Sequence, residues 1–180
     1  MVVADSTVQV LEEAVTSAKR RDSLLILAST TGASAKTALG LIAEGDVRLV
    51  VVTHDARRLP KESRFDDAVL SQLQAEGHAV VSSRAFIAFP LSLLRKFYRR
   101  FRFFLFGNSS FALSKILGVG GRVCVAIVRL ATRQGLIREG ETVVAVAGEE
   151  RGLDTALAIK VKTITPFQID LLEIIARSSN

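Results

Sequence analysis

The chain has no tryptophan, one tyrosine, one methionine, one cysteine and three prolines. A lone cysteine excludes an intramolecular disulfide framework. With only two histidines beside it, no zinc-ligand set stands out. Three prolines and 12 glycines in 180 residues exclude collagen-like and low-complexity classes. Apolar residues at 49% and charged residues at 23% exclude a disordered chain. The mean hydropathy is high, at +0.34, yet no uninterrupted apolar run reaches the roughly 18 residues of a spanning helix. Met1 to Asp5 carries neither a basic flank nor an apolar stretch, so no secretory signal is expected. A reducing, cytoplasmic setting is the expectation. No Ser–His–Asp set and no paired-carboxylate signature is present, so the residues alone name no reaction.

What is there is an alternation of two periods. Val8, Leu11, Ala14, Val15 and Ala18 recur at helical spacing, with Ser6 and Thr7 as cap candidates. Leu24–Ala28 and Val47–Thr53 are short continuous apolar runs, the mark of strands buried on both faces. Between them Ala35, Ala38, Leu39 and Ile42 return to the helical period, and Gly45 is a stop signal. A helix is expected around Asp66–Glu76 and a third strand over His78–Ser82. Strand, helix, strand, helix, strand at this spacing predicts right-handed crossovers and a parallel sheet. Gly118–Gly121 is expected to break the chain before a nearly all-apolar helix, Val123–Gln134. Cys124 falls in that helix and reads as inert core. Thr142–Ala147 and Thr155–Val161 follow as strands, and Leu171–Ala176 fits a strand or a short helix. Residues 1–180 read as one α/β domain.

The net charge is +6. Arg95, Lys96, Arg99, Arg100 and Arg102 supply five positive charges in one amphipathic stretch, Arg95–Phe106. Such a helix suits a membrane or nucleic-acid contact. A packed helix with solvated arginines is the favoured reading. Phe103 and Phe106 lie off its apolar face and point to a subunit interface, so a homo-oligomer is expected.

Two loops carry candidate chemistry. Ser29-Thr30-Thr31-Gly32-Ala33-Ser34 follows a buried strand and opens a helix. Free N–H groups, the positive dipole end and hydroxyl donors favour an anion there. The plain alternative makes Ser34 an N-cap and the rest a tight polar loop. Neither a Walker motif nor a dinucleotide fingerprint is present. The second loop, Gly148 to Thr155, holds Arg151 for a phosphate or carbonyl oxygen and Asp154 for a ring N–H or ribose hydroxyl. A hairpin-like connection is the plain reading of it. His54 ends the second strand at the same sheet edge as the first loop. His78 opens a strand with no partner in view.

In Leu27–Ala35, Leu49–His54, Arg122–Ile127, Val143–Gly148 and Arg151–Ala156 the chain resembles small archaeal and bacterial proteins of the pyruvate kinase C-terminal-domain-like fold, some of which carry FMN. The resemblance implies a three-layer α/β/α sandwich around a mixed, mainly parallel sheet of about five strands. It implies a small phosphorylated ligand, FMN or a nucleotide, with Ser29, Thr30, Thr31, Gly32 and Ser34 on the phosphate. Thr53, His54, Gly148, Arg151, Gly152, Asp154 and Thr155 would line the rest of the pocket. Kinase activity is not implied, because the catalytic barrel of pyruvate kinase is missing. Where the resembled proteins have a polar, glycine-containing segment, this chain has Ala85–Leu91.

Overall fold

The structure, a computed structural model, describes residues 5–42, 45–54, 64–83, 117–148 and 152–178. The basic stretch Arg95–Phe106, the segment Ala85–Leu91 and Arg151 lie outside them.

Helix α1 (Asp5–Arg21) leads into strand β1 (Leu24–Ala28). Then come α2 (Ala33–Leu41), β2 (Leu49–His54), α3 (Asp67–Ala75) and β3 (Ala79–Ser83). Helix α4 runs over residues 117–133. Strands β4 (Thr142–Ala147), β5 (Thr155–Thr163) and β6 (Gln168–Arg177) complete the order. The six strands form one sheet in the order β3-β2-β1-β4-β5-β6. The pairs β2–β3, β1–β2 and β1–β4 are parallel, and β4–β5 and β5–β6 are antiparallel. The fold is thus α/β, with one strand more than the count of about five; Leu171–Ala176 falls in β6.

The layers follow from the handedness of crossovers. The chain moves from β1 through β2 to β3 with α2 and α3 between, then reverses to reach β4 through α4. Right-handed crossovers put the helices of opposite directions on opposite faces. The two cores agree. One joins Leu25, Leu27, Val51 and Val146 to α1, α2 and α3. The other joins Ile26, Val50, Ala145 and Ile159 to α4. Alternate residues of each central strand therefore feed different cores, which is why β1 and β4 need to be apolar throughout.

Gly118–Gly121 does not break the chain. It lies within α4, although Gly118 takes a left-handed φ of +67°. Close packing explains these small residues. A Cβ on Gly120 would sit 2.1 Å from Asp154 Oδ1 and 2.4 Å from Thr155 Oγ1. At its other end α4 closes in a Schellman motif: Leu136 N donates to Ala131 O and Gly135 N to Thr132 O, both at 3.0 Å.

Ser6 and Thr7 do not cap α1, which starts at Asp5. Thr7 is buried instead, and its Oγ1 accepts a 3.0 Å hydrogen bond from Leu153 N. This bond ties α1 to the β4–β5 turn. His78 also has a structural partner: its Nδ1 accepts from Leu49 N at 3.3 Å.

Candidate functional site

The sheet order reverses at β1. Its two neighbours, β2 and β4, are reached through helices on opposite faces. In open α/β sheets a crevice forms outside the carboxyl ends of the strands at such a point. Ser29–Gly32 leaves β1 there, and Gly148 leaves β4 beside it.

The first loop is held by backbone. Ser29 is buried, and its N–H continues the sheet by donating to Val52 O at 3.0 Å. Thr31 O accepts from Asp66 N at 3.0 Å, which fixes the loop to the start of α3. Thr53 is buried, and its Oγ1 donates to Thr30 O at 3.2 Å. Gly32, not Ser34, is the N-cap of α2; its φ is +93°, a conformation that disfavours side chains. Gly32 has no side chain to cap the helix, and the first turn holds no acidic residue. Ser34 stands half-buried in that turn and Thr30 is exposed. By contrast, Asp66 caps α3 through Ala68 N at 2.8 Å. Among the described residues, nothing therefore neutralises the positive end of α2 or fills its first donors.

Behind this loop, on the α4 face, lies a cavity of about 60 Å³. Ser29, Thr30, Thr53 and His54 form its polar rim. Val123 and Leu130 of α4 line its apolar wall. His54 Nδ1 is buried without a hydrogen-bond partner among the described residues. A buried ring nitrogen in that state is costly and open to a ligand or water.

The second loop is a connection between antiparallel strands, as the hairpin reading expects. Asp154 N donates to Ala147 O at 3.1 Å. A Cβ on Gly148 would lie 2.1 Å from Gly152 O, so this turn closes only on glycine. Thr7 Oγ1 occupies the space a side chain at Gly152 would need. Thr155 is buried in β5 and its Oγ1 donates to Asp154 Oδ1 at 2.5 Å. Both residues face Gly120 of α4. Thus Ser29, Thr30, Thr53 and His54 come together at one cavity, and Thr31, Gly32 and Ser34 adjoin it at the α2 start. Gly148, Gly152, Asp154 and Thr155 form a separate cluster against α1 and α4.

Cys124 lies under that cluster. Its thiol donates to Ala145 O at 3.4 Å. Burial, and then the charge of Asp154, raise this thiol far above its ordinary range, so it stays protonated. Sequence reasoning missed Thr7. Its spacing of three, four and seven from Val10, Leu11 and Ala14 was the available signal.

Among the described residues, no group of three or more His, Cys, Asp or Glu could hold a metal ion. No helix among them is long and apolar enough to cross a membrane.

No family model matches the chain. Among solved structures, a pyruvate kinase from Cryptosporidium parvum is similar to it, with a TM-score of 0.42 and 15% sequence identity. The match covers 94% of this chain and 23% of that pyruvate kinase.

Proposed function

We propose that the protein binds a small phosphorylated ligand at the carboxyl edge of the sheet, FMN or a nucleotide, in a pyruvate kinase C-terminal-domain-like arrangement. The observation that carries this reading is the start of α2. It combines a left-handed glycine, no capping side chain and no acidic residue in the first turn. A phosphate there would meet backbone N–H groups and the positive dipole end. Ser34 and Thr30 supply hydroxyl donors beside it. His54 Nδ1 and Thr53 offer polar contacts to the part of the ligand that enters the cavity.

The fit favours the phosphate over an enclosed ring. A cavity of about 60 Å³ is smaller than the roughly 150 Å³ that accepts a single benzene ring. A flavin or base would therefore rest at the mouth, with an edge inserted toward His54. A bound flavin would supply electron transfer; the residues named here bind and orient it.

Titration with FMN and with riboflavin tests the reading. FMN is expected to bind at least about tenfold more tightly, because a charged hydrogen-bonded phosphate is worth more than 1.4 kcal/mol. Equal affinities would remove the phosphate anchor. If neither FMN nor any of a panel of nucleotides binds, the reading fails.

A further inference from the structure

Two large apolar side chains of β6 stand in the open: Leu172 is 47% exposed and Ile174 is 45% exposed. Strand β6 is the outer strand of the sheet, beside β5. One of its faces is covered. Ala176 belongs to the core shared with α1, and Ile175 packs against that core. Ile174 points the other way, because it lies opposite Leu157, which belongs to the core under α4. Leu171 lies opposite Ile159 of the same core and is only half-buried. The α4 face of β6 is thus an apolar strip that α4 leaves open.

The wall of this strip is α4, and it is basic. Arg129 lies over the Phe167 ring, 5.7 Å from its centroid, just before β6. That contact engages Arg129 and fixes which side of α4 looks along β6. Arg122 and Arg133 precede and follow Arg129 at helical spacing, and at 3.6 residues per turn both fall within about 40° of it around the helix. Both are exposed, and neither is in an ion pair among the described residues. The acids of β6 do not serve them, since Glu173 pairs with Arg21 and Asp170 with Lys162.

An apolar floor beside a basic wall selects what can lie there. A helix packed on a sheet rises about 10–12 Å above it, so a flat bilayer resting on the arginines would not reach Ile174. A second copy adding its own β6 to this edge would meet a ladder with register shifts beside Leu172 and Ile175, and such bulges turn an edge away from pairing. The chain's own basic stretch, Arg95–Phe106, has the same sign as the wall. A helix diameter equals about two strand spacings, so a single helix beside α4 would cover β6 and overhang the edge.

We propose that this face of β6 docks an acidic amphipathic helix of a partner protein. The apolar stripe of that helix rests on Leu171, Leu172 and Ile174, and its carboxylates meet Arg122 and Arg133. Guanidinium groups donate to carboxylates in paired hydrogen bonds, and the charge fixes which helix is accepted. The face shares no residue with the site at the start of α2.

Fluorescence anisotropy with the full chain tests this, using two labelled synthetic helices as long as α4. Both carry leucine at i, i+3, i+4 and i+7; one is flanked by glutamates and the other by lysines. The glutamate helix is expected to bind, and the lysine helix to bind at least about tenfold more weakly. Ile174→Ser should weaken the glutamate helix about tenfold and leave the urea midpoint in place. Arg122→Glu combined with Arg133→Glu should reverse the preference between the two helices. No binding of the glutamate helix, equal binding of both, or a preference that the charge reversal leaves unchanged would overturn the proposal. Each rival occupant would overturn it as well. A second copy would show as a dimer in sedimentation that Ile174→Ser dissolves. A membrane would show as capture by phosphatidylglycerol vesicles that the same variant abolishes. A large fall in the urea midpoint of that variant would show the chain covering this face itself.

Discussion

Two glycines show how one residue type carries opposite weights. Gly40 lies in α2, and none of the described residues stands within 4 Å of the Cβ it lacks. Gly40→Ala should raise stability by about 0.5–1 kcal/mol through helix propensity and chain entropy. Gly120→Ala should do the reverse. Its methyl would collide with Asp154 and Thr155, at an expected cost of about 1–3 kcal/mol. Urea unfolding of the two variants reads both signs. Thr7→Val keeps the shape but leaves the Leu153 N–H buried without its acceptor. The same measurement should show a loss of about 1–3 kcal/mol. Cys124 gives a pH dependence. Its thiol binds its proton more tightly folded than unfolded, so the folded state holds more protons once pH passes the ordinary thiol range. Stability should then fall with rising pH, by up to about 1.4 kcal/mol per pH unit from this group. Cys124→Ala should lose that part of the alkaline slope, and a native chain should resist thiol alkylation until unfolded. The plain reading of Cys124 as core was available from its apolar helix alone. Thr7 was legible only as a cap, because a hydroxyl near a helix start has two uses and the deciding partner lies 146 residues away.

At the scale of the element, the strands buried on both faces were the plainest to read. Each of β1, β2 and β4 feeds two cores and so shows a continuous apolar run. Strand β6 was ambiguous for a physical reason. Its pairing with β5 shifts register between Ala156 and Leu157 and again between Ala158 and Ile159. These irregularities leave Ile175 and Leu172 out of the ladder and break the alternation of two. The apparent break at Gly118–Gly121 misled differently: local propensity argues against a helix there, and the close approach to Asp154 and Thr155 overrides it. The start of α2, where the proposed phosphate would sit, was legible as a helix opening after a buried strand, but its cap was not, since Gly32 rather than Ser34 holds that position. This sharpens the test. A charge placed at Gly32 would also strain a left-handed backbone. Ser34→Asp avoids that. A carboxylate in the first turn should leave stability unchanged or raise it by up to about 1 kcal/mol. The same carboxylate should repel a ligand phosphate. Thermal melting and FMN titration of this variant separate folding from binding.

Over the whole molecule, strand order turns separate loops into one place. The sequence read as alternating strands and helices, but nothing in it ordered β4 beside β1. That neighbour relation creates the reversal, and the reversal brings Ser29–Gly32 and Gly148 to one sheet edge. It also explains why part of the expected pocket packs as structure. Gly148, Gly152 and Thr155 serve the turn that joins the parallel and antiparallel parts of the sheet. The cavity rim falls to Ser29, Thr30, Thr53 and His54, with the α2 start beside them, and the proposed ligand would meet these residues. The central claim is that this edge anchors a phosphorylated ligand through α2. Native mass spectrometry of the full chain with added FMN, compared with Ser34→Asp under the same conditions, tests it most directly. The account expects one FMN per chain on the original protein and its loss from the folded variant. Retention of FMN by folded Ser34→Asp, or none on the original chain, would contradict it.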